Sequence, residues 1–398
     1  MKDITHMLPH WARPTWVEVD LGAIAHNLKL IREKVGPRRS IMAVVKADAY
    51  GHGARPVARA ALQAGADWLG VAFPEEGAHL RDGGIEAPIL VLGPTLPQQV
   101  SMVVERDLAL SVSGMDLALA LDAEGRKRGL TARVHVKVDT GMGRLGVPAA
   151  QAVAFLKELR ALHNLRVEGL YTHLATADDP DPGFALEQLA GFMRVESEAR
   201  EMGIHVPFRH VANSAGLIAL DDGRMELVRP GIILYGCLPR RQMNIQLPLR
   251  PALTWKTRVA FLRDLETGQS VSYGRAFVAS RAMRVAVLPV GYGDGLPRSL
   301  SNRGQVLVKG RRAPIVGAVC MDITMVDVTG IRGVEAGEEV VLIGSQGSQR
   351  IPVEEMADLA GTISYEILCG VGKRVPRLYT GGPGQSLAEP AQPGGAGV

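Results

Sequence analysis

"RVHVKVDTGMGR", residues 133–144, alternates without a break. Val134, Val136 and Val138 fall on one side of an extended chain; Arg133, His135, Lys137 and Asp139 fall on the other. The valines suit a layer of helices, so the charged side turns towards an enclosed lumen. A glycine-flanked loop carrying Arg144 follows at once. Polar groups at a strand end, pointing inwards, are what the mouth of a (β/α)8 barrel requires.

The neighbouring segments supply the remaining strands. "IMAVVKA", "WLGVA", "PILVLG" and "LALSVS" precede it; "LRVEGLYTH", "FRHVAN" and "MELVRPGIILYG" follow. Helical stretches such as "PAAQAVAFLKELRALHN" and "FALEQLAGFMRVESEAREMG", with apolar residues at three-and-four spacing, separate most of them. Eight strands interleaved with helices favour a (β/α)8 TIM-type barrel over an open doubly wound sheet. From about residue 242 the runs become short and punctuated, as in "LTWKTRVAFL", "GQVLVKG" and "EEVVLIG", which predicts a compact, mostly β second domain. The expected division is a barrel over 8–241, a β domain over 242–382 and a disordered Gly/Pro/Ala-rich tail over 383–398.

The chain has 398 residues, 46% hydrophobic and 22% charged, which is ordinary globular composition. Its 45 basic and 41 acidic side chains leave a net charge of +4 with no basic block, so neither nucleic acid nor a membrane surface is an expected partner. No segment reads as a signal peptide or membrane span. Cys237, Cys320 and Cys369 are widely spaced and odd in number, the usage of reduced thiols in a cytoplasm. The histidines lack metal-ligand spacing, and no metal is expected.

Candidate chemistry gathers at the strand ends. Lys46 closes the first strand, where a charged amine is awkward to solvate; in a dry pocket it becomes a nucleophile towards an aldehyde, of which pyridoxal phosphate is the common biological one. The plainer reading is a lysine that snorkels to solvent. His173 ends the sixth strand, Asn213 and Ser214 the seventh, and Arg229 precedes Gly231 and Ile232 at the eighth. Ser214 and the backbone of Gly231 and Ile232 could hold a phosphate, or Ser214 could cap a helix and Gly231 mark a bend. "GMGRLG" (141–146) matches G-x-G-x-x-G, but no acidic residue ends the next strand, so a carboxylate-binding Arg144 explains the loop better than a nicotinamide.

In this order the segments "VVKADAYGHG", "VKVDTGMGRLG", "YTHLATAD", "HVANSAG", "VRPGIILYG", "VSYGRAF", "GYGDG", "VCMDITMVDV" and "SYEILC" resemble bacterial alanine racemase, a fold-type III pyridoxal phosphate enzyme, from about Thr15 to Tyr379. The resemblance implies that Lys46 carries the cofactor and is one catalytic base. Tyr273 would be the other, reaching the barrel of a second subunit in a homodimer with shared sites. Tyr50, Ser214, Gly231, Ile232 and Tyr365 would bind the phosphate, with His173, Asn213 and Arg229 completing the cofactor shell. Arg144, with Met321 and Asp322 from the partner, would bind the substrate. Lys137 matches a lysine that is carbamylated in many members, and Asp178, Tyr292 and Arg298 match positions along the corridor to the site. The family's usual purpose is D-alanine for cell-wall peptidoglycan.

Racemisation takes an α-proton from one face of a carbon and returns one to the other, so two opposed bases serve better than one. One position departs from the family. Ala318 stands where many relatives have an arginine that narrows the corridor, which leaves open a racemase of broader specificity, for serine or basic amino acids. A decarboxylase is disfavoured by "SYG" and "VCMD", and a non-catalytic pyridoxal phosphate-binding barrel by the presence of the β domain.

Overall fold

The computed structural model describes residues 13–220, 225–240, 243 and 247–382; the segment expected to be a tail lies outside them. Eight parallel strands form the first unit: Ser40–Val44, Trp68–Val71, Ile89–Val91, Ala109–Val112, Ala132–Asp139, Leu165–Tyr171, Phe208–His210 and Leu227–Val228. Each pairs in parallel with the next up to the seventh, and the eighth pairs back onto the first. Between the seventh and eighth no ladder forms, but Arg229 N donates to Ala212 O at 3.0 Å, so the barrel is nearly closed. These are the eight runs read from the sequence.

Alternation assigns the two faces. On the first strand Ile41 and Ala43 join the apolar layer under the helices, while Met42 packs with Trp68, Leu90, Ala109 and Leu227 as a plug across the lumen. On the fifth strand Val134, Val136 and Val138 are fully buried in the helix layer, and His135 and Lys137 are buried on the lumen side. Arg133, at the strand's entrance, turns out to Asp107.

The second unit is mostly β. Its main sheet includes Leu253–Arg258, Gln305–Val308, Arg311–Pro314, Glu339–Gln346 and Arg377–Thr380, and a smaller sheet is built from Phe261–Leu265, Met283–Leu288 and Thr324–Asp327. The strand Thr15–Asp20 falls within the range 8–241 expected for the barrel, yet it lies in this main sheet. It runs antiparallel to Leu253–Arg258 and parallel to Arg377–Thr380. Two short helices, Val353–Ala360 and Ser364–Gly370, return the chain to the barrel mouth, and one continuous apolar core runs through both units.

Among the described residues no helix is long and apolar enough to cross a membrane. Cys237, Cys320 and Cys369 are free thiols.

Candidate active site

A cavity of about 620 Å³ opens at the carboxyl ends of the barrel strands. Lys46, Tyr50, Lys137, Arg144, His173, Asp178, Asn213, Ser214, Arg229, Gly231, Ile232 and Tyr365 all line it. Every barrel residue to which the resemblance assigns a site role is therefore at one place, and Tyr365 arrives from the helix Ser364–Gly370 of the second unit.

One wall is an anion cradle. Asn213, not Ser214, caps the short helix Ser214–Ala219, accepting the Gly216 N–H at 2.9 Å. The Ser214 hydroxyl is left to accept the Gly231 N–H at 2.8 Å. Tyr50 closes over both. A Cβ on Gly231 would lie 2.6 Å from the Tyr50 hydroxyl, so glycine is needed for the phenol to approach. The Tyr365 ring stands 5.8 Å from that of Tyr50. Burial pushes both phenols well above the usual tyrosine range, which keeps them as neutral donors. Hydroxyls converging in this way suit a phosphate.

Cationic groups line the same cavity. Burial, with Arg144 beside it, holds the Lys46 amine below the usual lysine range, and Glu76 opposes this in part. Lys137 is pushed down to about 8 by burial, then by Arg144 and Arg229. It forms no salt bridge with any described residue. The Asp139 carboxylate, two residues on, is occupied by the Gly141 and Gly143 N–H groups at 2.9 and 3.1 Å. Those glycine donors are thus spent inside the loop, and Val147 pairs back beside Val138 instead of opening a helix. The dinucleotide reading of "GMGRLG" thus loses its first two glycine N–H groups and its helix N-terminus.

Arg229 is buried and fully bonded on one side. It donates to His210 Nδ1 at 2.8 Å, Thr172 O at 2.8 Å and Val211 O at 3.0 Å. Burial brings it down to about 10, so it remains a cation at neutral pH. His173 beside it is held well below the usual histidine range, by burial first and then by Arg229 and Lys137, and is neutral.

Sequence reasoning missed three features here. Ala47 to Tyr50 are four consecutive left-handed residues, φ 52–54°, where L side chains are disfavoured. Glu76 holds the turn from outside: its carboxylate accepts the Ala47 N–H at 2.7 Å and the Ala72 N–H at 2.6 Å. Tyr171, on the sixth strand, lies parallel to the His210 ring at 4.5 Å, within cation–π reach of Lys137 and Arg229. Only the "KADAYGHG" glycines hinted at the turn, and nothing marked Glu76.

Tyr273, Tyr292, Arg298, Met321 and Asp322 do not line this cavity. They stand on the second unit, with Tyr273 77% exposed and Met321 54% exposed. Four of them form a connected patch. Ser272, at φ 69°, gives its hydroxyl to Ala318 O at 2.8 Å, fixing the Tyr273 loop against 318–320. Tyr292 N donates to Cys320 O and Gly293 N to Met321 O, at 2.9 and 2.8 Å. Asp294 is the buried hub beneath, bonded to Arg13, to Arg374 and to the Gly291 N–H, and Arg374 reaches on to Asp322 at 2.8 Å. Among the described residues no group of three or more His, Cys, Asp or Glu could hold a metal ion.

Residues 19–239 match the alanine racemase N-terminal domain, and 252–379 the C-terminal domain. An alanine racemase of Symbiobacterium thermophilum is 49% identical over 93% of this chain and 98% of its own. One from Halothermothrix orenii is 47% identical over 92% and 97%. The solved alanine racemase of Clostridium difficile 630 has a TM-score of 0.90 at 34% identity, covering 94% of this chain and 98% of that one. The Bacillus anthracis structure, with bound L-Ala-P, has a TM-score of 0.90 at 38% identity, covering 96% and 99%. With both domains matched in order and the likeness spanning nearly the full length, the chain belongs to the alanine racemase family.

Proposed function

We propose that the protein interconverts L- and D-alanine with pyridoxal 5'-phosphate held in the barrel cavity, each site being completed by a second copy of the chain. The observation that carries this reading is the meeting of a lowered-pKa amine, Lys46, with a phosphate cradle and two arginines in one cavity. Lys46 would hold the cofactor's aldehyde carbon; Tyr50, Ser214, Gly231, Ile232 and Tyr365 its phosphate; Arg229 its ring nitrogen. His173 and Asn213 complete the wall. When bound, the cofactor supplies the electron sink that acidifies the α-carbon of an attached amino acid.

The protein's own groups then divide the work. Arg144 offers a fork of donors to the substrate carboxylate. The Lys46 amine, poised by burial, takes or returns a proton on one face. Tyr273, exposed on its own chain, would serve the opposite face in a second copy, and Met321 and Asp322 travel in the same patch. Asp178, Tyr292 and Arg298 would line the approach. Arg229 stays protonated and gives no proton to the ring, which limits charge delocalisation and disfavours transamination; in Arg229→Glu the ratio of transamination to racemisation should rise. The homodimer is supported by the exposure of Tyr273 outside the cavity that Lys46 lines, and the cytoplasm by three free thiols. Supply of cell-wall D-alanine rests on the family alone.

Borohydride reduction is the direct test. The purified protein should be yellow, lose its visible band on reduction and carry the label on the Lys46 peptide, while Lys46→Ala shows neither label nor racemase activity. An active protein labelled elsewhere would end this reading.

A further inference from the structure

The imidazole of His135 lies on the barrel floor, fully buried, edge-on to Trp68 at 5.3 Å and parallel to Phe208 at 6.3 Å. It has no place in the chemistry above, yet it is joined to it. His135 Nδ1 is 2.8 Å from His210 Nε2, and His210 Nδ1 is 2.8 Å from Arg229 Nη1. A guanidinium can only donate, so His210 Nδ1 must accept. Neutral His210 then keeps its proton on Nε2 and donates to His135 Nδ1, which leaves the His135 proton on Nε2.

No other protonation pattern fits the row. A His210 imidazolium would set N–H against N–H at Arg229. A His135 imidazolium would require both His210 nitrogens to accept, an imidazole stripped of its last proton. The strands make room for this ring, although its Nε2–H is buried without a hydrogen-bond partner. The ladder between the fifth and sixth strands shifts register between Val134 and His135, and a Cβ on Gly169 would overlap the His135 imidazole. Tyr171 walls the other member, stacked on His210 with its phenol bonded to Ser111 at 2.7 Å.

We infer that His135 is a positioning residue: by accepting the Nε2–H that Arg229 imposes on His210 it anchors that ring, and so sets the angle at which Arg229 meets the cofactor. The last step rests on the proposed site of the cofactor ring; the tautomer assignment does not.

Neutron diffraction from a perdeuterated crystal reads the tautomers directly. Deuterium should lie on Nε2 of both rings and on Nδ1 of neither, and deuterium on either Nδ1 overturns the inference whatever the activity. The catalytic half is read from two variants. His135→Leu, which cannot accept, should raise the ratio of transamination to racemisation about tenfold, the rate equivalent of one lost hydrogen bond. His135→Asn, whose amide oxygen replaces Nδ1, should restore the wild-type ratio. If Leu and Asn slow both reactions in equal proportion, His135 only fills space and the positioning role falls. Should neither reaction be detectable in the wild type, the proposed function fails while the neutron result still decides the tautomers.

Discussion

Lys137 is a cation among cations, and that setting lowers the pKa of its amine. At pH 7 a lysine at about 8 is roughly one-tenth neutral, against fewer than one in a thousand for an ordinary lysine. Only the neutral amine attacks carbon dioxide, and the resulting carbamate would be an anion facing Arg144. Native mass spectra near neutral pH in bicarbonate should therefore show one added carbon dioxide that is absent from Lys137→Arg; an unmodified mass refutes the carbamate. Ala318 poses the specificity question at the same scale. It is buried, and its carbonyl holds Ser272 beside Tyr273. If its small side chain widens the approach, Ala318→Arg should cut turnover of serine more than that of alanine; an unchanged profile removes the concern. Such residues were legible because their types are costly where they stand, as a lysine at a buried strand end is. Glu76 was not. An acidic residue in the first turn of a helix is commonplace, and only the folded chain shows it bonded to the Ala47 N–H.

The turn Ala47–Tyr50 is short enough to be held entirely by its neighbours. Ala47 is exposed, so a larger side chain meets little there except its own backbone. Ala47→Val should cost roughly 1 kcal/mol, because branching at Cβ adds to the left-handed strain that alanine already bears, measured by urea denaturation. A stability equal to wild type would show that the turn can relax. The Asp294 hub is the other element under load. Burial pushes its carboxyl up, but hydrogen bonds from Arg13, Gly291 and Arg374 together hold it below the usual range. Asp294→Asn should cost about 1–3 kcal/mol, discounted because both arginines are partly exposed. A lowered folded-state pKa stabilises above the unfolded value and is lost as pH falls through the folded one. The gap between wild type and variant should therefore narrow below about pH 4. A gap constant with pH would assign the loss to packing. The barrel strands were legible from period-two runs between helices. The hub was not, because its members Arg13, Asp294, Asp322 and Arg374 are too far apart in sequence to be associated.

For the whole molecule the test is mixing. If Lys46 of one copy works with Tyr273 of another, Lys46→Ala and Tyr273→Phe homodimers should each be nearly inactive, and reassociated heterodimers should recover up to about half the activity per heterodimer, since one of two sites is then intact. No recovery, with heterodimers demonstrated, would place the second base elsewhere. The two-unit architecture was visible as a change of style near residue 242, but the destination of Thr15–Asp20 was not, because its partners lie more than two hundred residues away. That placement bears on synthesis. By the time a ribosome has delivered every barrel strand, the leading strand has neither partner, because Leu253–Arg258 and Arg377–Thr380 are still to be translated. On nascent chains stalled with a C-terminal linker that fills the exit tunnel, a protease should cut within Thr15–Asp20 at lengths exposing only the barrel strands, and cutting should stop once Thr380 has emerged.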